Sequence, residues 1–179
     1  MAIRKITFAA VIAAVYAGLT MSTAFMAYGP IQFRIAEALC ILPFFFPFSM
    51  WGLFVGCILA NLLSMYGPVD IVFGSMATLL AAFCTMQLGR RTNRSIGAKI
   101  AACFPPVIFN TVIIGAVIAW YMTQTGGAFL PAMVINGLQV GFGELVVMYA
   151  LGLPLMIFLP KMQAFKSLTD QYSSLAQTR

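Results

Sequence analysis

Residues 100–143 read IAACFPPVIFNTVIIGAVIAWYMTQTGGAFLPAMVINGLQVGFG and contain no charged side chain in 44 positions. At about 1.5 Å per residue, this stretch is twice as long as one membrane-spanning helix requires. The polar segment Gln124-Thr125-Gly126-Gly127 interrupts it near the middle, and glycines beside small polar residues favour a loop. The stretch therefore predicts two membrane helices joined by a loop, the second of which continues to about Leu159.

The whole chain shares this apolar character. Of its 179 residues, 62% are hydrophobic and 8% are charged, and the mean hydropathy is +0.98. A soluble domain carries about a quarter charged residues, so the few charges here cannot solvate the surface of a soluble monomer. The composition indicates an integral membrane protein.

Charge-free intervals predict four further helices before residue 100. Residues 6–33 can form one spanning helix and an outer loop, whereas residues 38–69 are too long for one span and carry prolines and a glycine near their middle. The predicted helices after the first run over about 31–46, 49–65 and Asp70–Gly89. The fold class is therefore an all-α membrane protein, a six-transmembrane-helix bundle.

The charged residues predict how this bundle is oriented. Six helices place both termini on one side, and the charges on that side sum to +8, against −2 for the other four. The side with the positive excess is cytoplasmic by the positive-inside rule, so the basic character reflects topology and indicates no nucleic-acid partner. We expect one domain over residues 1–160 and a short cytoplasmic tail over residues 161–179. The residues assigned to the cytoplasmic side are Arg4, Lys5, Arg90, Arg91, Arg94, Lys99, Lys161, Lys166, Asp170 and Arg179.

Polar side chains within these apolar helices are the candidate binding residues, because ionisable groups in a bilayer are costly. Arg34 and Glu37 are three residues apart and share a helix face, where they either bind a solute or pair with each other. Asp70 follows Gly67-Pro68 and either caps its helix or joins the same site. The other candidates lie in the predicted outer half and are amides or aromatic residues: Asn61, Asn136, Gln139, Tyr28 and Phe33. Together they predict an outward-facing polar pocket.

Glu144 is a carboxylate near the predicted middle of the sixth helix. A carboxyl group at that depth needs a partner, a proton or a ligand. A hydrogen bond to Asn110 of the fifth helix is the structural alternative to a ligand. Asn61 and Asn110 are themselves typical of interhelical contacts as well as of binding sites.

Several kinds of chemistry have no residues to perform them. The chain has no histidine, and its four cysteines, Cys40, Cys57, Cys84 and Cys103, are too far apart in sequence for a C-x-x-C pair. Each lies in an apolar run, as buried small residues do. There is also no G-x-x-x-x-G-K-[ST] nucleotide-binding motif. We therefore expect no enzyme, cofactor or metal site, and a small binding bundle of this kind would act passively or take energy from partner proteins.

The first helix offers a surface for such a partner. Ala9, Ala13 and Ala17 are spaced four apart and form a ridge of small residues, beside a second ridge of Ala10, Ala14 and Gly18. Ridges of this kind let two helix backbones approach closely. They either dock a partner or pack within the bundle.

Two blocks of sequence resemble those of a known family. Residues 28–39, YGPIQFRIAEAL, and residues 70–79, DIVFGSMATL, together with Gly56-Cys57 and Ala60-Asn61, are similar to the queuosine-precursor transporter (QueT) family. The resemblance is specific over roughly residues 28–82 and extends to nearly the whole chain in helix number and length. Members are substrate-binding (S) components of energy-coupling factor (ECF) transporters, a type of ABC importer.

The resemblance implies a six-helix protein of the bacterial plasma membrane that captures a scarce solute from outside. It implies association with a membrane coupling subunit and two cytoplasmic ATPases. It also implies that small residues of the first helix, here Ala9, Ala13 and Ala17, contact the coupling subunit. The solute is expected near the outer surface under three loops, here 27–31, 65–69 and 123–130.

The implied solute is a 7-deazaguanine precursor or queuine. A guanine-like edge presents two parallel donors that one carboxylate can accept, and Glu37 is the first choice for this role, with Asp70 second. Arg34 would donate to the ring carbonyl or orient Glu37, the amides would complete the edge, and Tyr28 or Phe33 would stack on the ring. Three alternatives remain: an S component for another vitamin or nucleobase, a non-transporting scaffold subunit, and a membrane enzyme.

Overall fold

The structure is a computed structural model that describes residues 2–28 and 31–177. Gly29 and Pro30 of the predicted outer loop 27–31, and Arg179 of the predicted tail, lie outside these residues. Regular secondary structure in the described residues is helical throughout. In chain order the elements are α1 (Ala2–Ser22), α2 (Ala24–Ala27), a 3₁₀ helix (Ile35–Phe44), α3 (Ser49–Asn61), α4 (Pro68–Arg91), α5 (Ile96–Ala102), α6 (Phe104–Thr123), α7 (Phe129–Val147), a π-helical turn (Met148–Gly152), α8 (Leu153–Phe158), a 3₁₀ turn (Leu159–Lys161) and α9 (Gln163–Gln177).

Four helical stretches are long and apolar enough to cross a membrane. They are Ile3–Ser22, Pro68–Arg91, Ile96–Thr123 and Phe129–Lys161. These stretches confirm the predicted all-α membrane character. The two predicted helices between them are present but short, since the 3₁₀ helix has 10 residues and α3 has 13. Each is about 20 Å long at its own rise per residue, less than the roughly 30 Å hydrocarbon core.

The second predicted helix, 31–46, differs from the structure in both its start and its winding. Residues 32–34 are non-helical, and helical winding begins at Ile35 as a 3₁₀ helix that contains Pro43. Gln32 and Arg34 are nevertheless buried. The segment packs so closely against α7 that a Cβ on Gly143 would collide with the carbonyl oxygen of Gln32. Irregular backbone inside a membrane is tolerated where protein covers it, and α7 provides that cover here.

Helices α1 and α3 pack backbone to backbone. A Cβ added at Gly52 would collide with the carbonyl oxygen of Ala9, and one at Gly56 would lie 2.8 Å from that of Ala13. A Cβ at Gly56 would also lie 2.9 Å from the Cβ of Tyr16. The glycines of α3 therefore allow α1 to approach closely enough to place Tyr16 in the interior.

The two ends of the bundle differ in charge. Lys5, Arg90 and Arg94 line one groove, and Arg94, Lys99 and Lys166 line a second one beside it. We call this end the basic end. The opposite end carries Tyr28, Tyr66 and Tyr121, and we call it the loop end.

Most of the predicted tail folds onto the basic end. Its residues form α9, and the ring of Phe165 lies 5.2 Å from the rings of both Phe45 and Phe46, centroid to centroid. Phe165 belongs to the same buried apolar cluster as Met148 and Met156. This helix is thus packed against the bundle.

Candidate functional site

A layer of buried polar side chains lies inside the bundle. All of them are at most 4% exposed, and they come from α1, the 3₁₀ segment, α3, α4, α6 and α7. Polar groups in a bilayer must find partners within the protein or in a ligand. The members are Tyr16, Gln32, Arg34, Glu37, Asn61, Asp70, Ser75, Thr78, Asn110 and Glu144.

Glu37 is held by three donors from three helices. The Tyr16 hydroxyl donates to Oε1, as does the Thr78 hydroxyl at 3.2 Å, and the Cys40 thiol donates to Oε2 at 3.0 Å. The three-residue repeat of a 3₁₀ helix places Glu37 and Cys40 on the same face. Glu37 therefore joins α1, α4 and its own helix.

Arg34 lies one 3₁₀ turn before Glu37 but makes no hydrogen bond to it. Its Nη1 lies 3.8 Å from the sulfur of Cys57, and its guanidinium carbon lies 5.6 Å from the ring centroid of Tyr28. Its Nη2 is buried without a hydrogen-bond partner. The ion pair considered from sequence is not formed as a hydrogen-bonded pair, because the oxygens of Glu37 accept from other groups.

Asn61 and Asp70 form the next part of the layer. The Asn61 amide donates to the carbonyl oxygen of Asp70 at 3.0 Å and lies 3.5 Å from the sulfur of Cys57. Asn61 Oδ1 and Asp70 Oδ1 have no partner. A Cβ at Gly74 would lie 2.5 Å from Asn61 Nδ2 and 2.7 Å from Asp70 Oδ1, so the glycine leaves room for both side chains. Gly67 occupies the N-cap of α4, so the alternative that Asp70 is the cap residue is wrong.

Glu144 lies across a small cavity from Arg34. The cavity is about 10 Å³ and is lined by Gln32, Arg34, Asn110, Ile114, Val140 and Glu144. The Asn110 amide interacts with the Glu144 carboxyl group, while Glu144 Oε1 is buried without a partner. A space of this size holds about one water molecule. The site is therefore polar but closed.

The amides assigned to α7 lie apart from this layer. Asn136 is partly buried and donates to the carbonyl oxygen of Ala132, one turn earlier, at 2.7 Å, and to the sulfur of Met122 at 3.4 Å. Gln139 is also partly buried, and so is Phe33, which lies in the non-helical residues before the 3₁₀ helix. The structure thus brings together Arg34, Glu37, Asn61 and Asp70 as buried side chains, whereas Asn136, Gln139 and Phe33 are only partly buried.

Tyrosines at the loop end connect loop residues to the ends of neighbouring helices. The Tyr28 hydroxyl donates to the carbonyl oxygen of Ala60 at 2.6 Å, and the rings of Tyr66 and Tyr121 meet edge to face with centroids 5.3 Å apart. Burial and then the charge of Asp70 raise the pKa of Tyr66, and burial raises the pKa of Tyr28 although Arg34 opposes it. Both phenols are therefore protonated at neutral pH, and that of Tyr28 already donates its hydrogen to Ala60.

Sequence reasoning missed Tyr16 and gave Cys40 and Cys57 another role. Cys40 and Cys57 are buried, as expected, but they contact polar partners instead of serving as apolar filler. Thr78 shares the face of Asp70, and this spacing is the signal that connects it to the site. Tyr16 is the single tyrosine of α1, which is the only signal it offers. Within residues 2–28 and 31–177, no three histidine, cysteine or acidic residues are grouped as a metal site requires.

The small-residue ridges of α1 face different surroundings. Ala13 and Ala17 are buried, and Ala9 and Ala13 lie against the glycines of α3. The second ridge, Ala10, Ala14 and Gly18, is exposed. The ridge expected to dock a partner is therefore occupied within the chain, and its neighbour is the accessible one.

Comparisons with known proteins agree with the expected family. The model of the QueT transporter family matches residues 6–161. Over 73 residues the chain is 40% identical to the protein named Queuosine precursor transporter QueT from Lactococcus lactis subsp. cremoris (strain MG1363), which covers 40% of this chain and 43% of that protein. The alignment thus spans less than half of the relative. No solved structure matches the chain. Because the family match extends over nearly all of the four apolar stretches, this multi-pass membrane protein belongs to the QueT transporter family.

Proposed function

We propose that the chain is the substrate-capture (S) component of an ECF-type importer and that it binds a queuosine precursor, a 7-deazaguanine derivative or queuine, from outside the cell. The observation that carries this proposal is the set of buried polar atoms without partners in a chain of a transporter family. Such atoms are costly in an empty protein, and a bound solute would satisfy them. The similar protein from Lactococcus lactis is named for the same class of solute.

The unpartnered atoms suit a flat ring with several donors. Arg34 Nη2 supplies one donor, and Asn61 Oδ1 and Asp70 Oδ1 supply acceptors. Two of the remaining residues assigned from sequence would lie beside this set. Glu37 would hold the surrounding helices in place, and the Tyr28 ring, next to the Arg34 guanidinium, would stack on the solute. Three partly buried residues nearer the loop end would contact only the far end of a solute: Phe33, Asn136 and Gln139.

A binding measurement tests this function. The purified chain in lipid nanodiscs is titrated calorimetrically with 7-deazaguanine and, as controls for other S-component substrates, with thiamine and riboflavin. We expect binding of 7-deazaguanine alone, and mass spectrometry of solutes released from the purified protein should find the same ring system. Binding of a control vitamin would favour another S component. Binding of none of them, with no released solute, would favour a scaffold subunit.

We propose a six-helix topology with both termini cytoplasmic, formed by one domain over residues 1–160 and followed by the segment 161–179. The gathering of basic side chains at one end supports it. Cysteines introduced at Thr125 and Ser95 test it, with Cys84 and Cys103 replaced and the buried Cys40 and Cys57 retained. An impermeant thiol reagent applied outside should label position 125 and not position 95. Labelling of position 95 alone would mean that the topology is the inverse of the proposed one.

We propose that energy comes from partners, a membrane coupling subunit and two cytoplasmic ATPases. The exposed ridge of Ala10, Ala14 and Gly18 can take part in docking without opening the bundle, whereas Ala13 and Ala17 are enclosed. Ala14→Leu should keep ligand binding and thermal stability but lose uptake in cells that express the partners, because a bulky side chain separates the two backbones. Ala13→Leu is the matched control and should lose stability itself. Unchanged uptake by Ala14→Leu would exclude this ridge from docking.

A further inference from the structure

We propose, on the basis of the proposed function, that Glu144 and Arg34 read the polar edge of the solute, and that Glu37 holds the fold and does not contact the solute. In the sequence analysis Glu37 was the first choice for this role. The assignment gives the role to Glu144 instead. It rests on the hydrogen-bond donors around each buried carboxylate: Glu37 already has its donors, and one oxygen of Glu144 has none.

Glu37 cannot accept both donors of a guanine-like edge. Two parallel donors require a free lone pair on each carboxylate oxygen, and each oxygen accepts about two hydrogen bonds. Oε1 already accepts from Tyr16 and Thr78, and Oε2 accepts from Cys40. A ligand could bind there only by displacing contacts that join α1 and α4 to the 3₁₀ helix.

Glu144 has the opposite character. It is 2% exposed, and its Oε1 has no partner. A buried acceptor left unpaired destabilises the protein without its solute, and more so when the acceptor is charged. Asn110 contacts the same carboxyl group and would orient it. Glu144 is therefore a held carboxylate that can accept at both oxygens, because Oε1 has no partner and the oxygen beside Asn110 keeps a second lone pair.

Arg34 presents the complementary group to the same cavity. Its Nη2 is also buried and unpartnered, so an unused donor and an unused acceptor line one space. A ring that carries a carbonyl next to a ring N–H and an exocyclic amine matches this pair. Arg34 would donate to the carbonyl, and Glu144 would accept from the N–H and the amine. Charged hydrogen bonds of this kind combine strength with specificity.

The close contact between α7 and the segment before the 3₁₀ helix creates this pairing. Gly143 precedes Glu144 and permits α7 to lie against the backbone of Gln32, two residues before Arg34. The cavity holds about 10 Å³, whereas small-molecule sites occupy roughly 300 Å³ or more. Binding must therefore widen the space between α7 and this segment.

A pair of ligands tests the assignment. The full-length chain in nanodiscs, wild type or Glu144→Gln, is titrated with 7-deazaguanine and with 7-deazahypoxanthine, which lacks the exocyclic amine. Gln replaces one acceptor oxygen with a donor, so affinity for 7-deazaguanine should fall by about tenfold to several hundredfold. Affinity for 7-deazahypoxanthine should change by less than about threefold, because the Gln oxygen can still accept the single ring N–H.

Two further variants keep the test decisive. Glu37→Gln should retain the wild-type ratio between the two ligands even if it is less stable, and Arg34→Lys should weaken both ligands alike because both carry the carbonyl. If Glu144→Gln retains the wild-type ratio, or if only Glu37→Gln changes it, the assignment is overturned while the proposed function stands. If Glu144→Gln does not fold, the Arg34→Lys variant decides. Wild-type affinity of this variant for both ligands would overturn the assignment. If the wild-type chain binds neither ligand, the proposed function itself fails.

Discussion

The 3₁₀ helix around Glu37 and the middle of α7 around Glu144 both hide a carboxylate inside the bundle, yet the two regions treat it differently. Glu37 is 0% exposed and accepts three hydrogen bonds, whereas Glu144 is 2% exposed and keeps one oxygen unpartnered. Residue type and burial are thus the same, and only the supply of donors differs. The comparison teaches that a buried acid in a membrane protein contributes to the fold where the chain provides its donors, and is available to a ligand where it does not.

The largest expected effect comes from exchanging each acid for its amide. Glu37→Gln replaces an acceptor with a donor that faces other donors, so the free energy of unfolding should fall by about 3–5 kcal/mol. Glu144→Gln should change it by less than about 1 kcal/mol, because the new amide group takes the place of an oxygen that already has no partner. Denaturant titration of the empty protein in detergent measures both. Equal losses for the two variants would remove the distinction between them.

Tyr16→Phe should have the next largest effect, because it removes one donor to Glu37 and little volume. One hydrogen bond to a charged group is worth about 1.5–3 kcal/mol, and the loss should appear as a lower unfolding free energy with an unchanged ligand ratio. Tyr149→Phe is the control. Its hydroxyl donates to the carbonyl oxygen of Ile100 at 3.1 Å and makes no hydrogen bond to either acid. A changed ratio in Tyr16→Phe would mean that Glu37 does contact the solute.

Gly143→Ala should perturb the other region. The new methyl group would meet the carbonyl of Gln32, and overpacking of this kind costs about 1–3 kcal/mol. Because α7 would move away from Arg34, affinity for 7-deazaguanine should fall together with stability. Gly18→Ala is the control, because nothing lies within 4 Å of the added Cβ, and stability should rise slightly through helix propensity. Unchanged binding by Gly143→Ala would separate α7 from the site.

The long apolar helices were predictable because hydrophobicity and charge act along the chain. The 44 uncharged residues 100–143 do contain most of α6 and α7, and the interruption at Gln124 does form their connection. The 3₁₀ winding of Ile35–Phe44 was not predictable in this way. The helix packs against α1, α3 and α4, and the residues just before it contact α7, more than 100 positions away in the sequence.

The same limit explains the site. The sequence grouped Arg34, Glu37, Asn61 and Asp70, and the structure places them in one buried layer. Each of these side chains is costly in lipid and must therefore be buried inside the protein. Spacing cannot show which donors reach which acid, since Tyr16 meets Glu37 only through the close packing of α1 on α3. For the same reason Asn136 was predicted to lie in the site but bonds to its own helix instead.

The winding of the 3₁₀ helix also defines a length. A 3₁₀ helix rises about 2.0 Å per residue and an α-helix about 1.5 Å, so the 10 residues Ile35–Phe44 would shorten by about 5 Å if they rewound as an α-helix. One end is fixed, because Gly89 lies directly against the backbone of Phe44. Rewinding would therefore draw the other end, with Arg34, along the bundle axis by about one helical turn, without breaking the chain or moving a spanning helix. A spectroscopic ruler between a label near residue 31 and one near residue 48 would read this contraction directly.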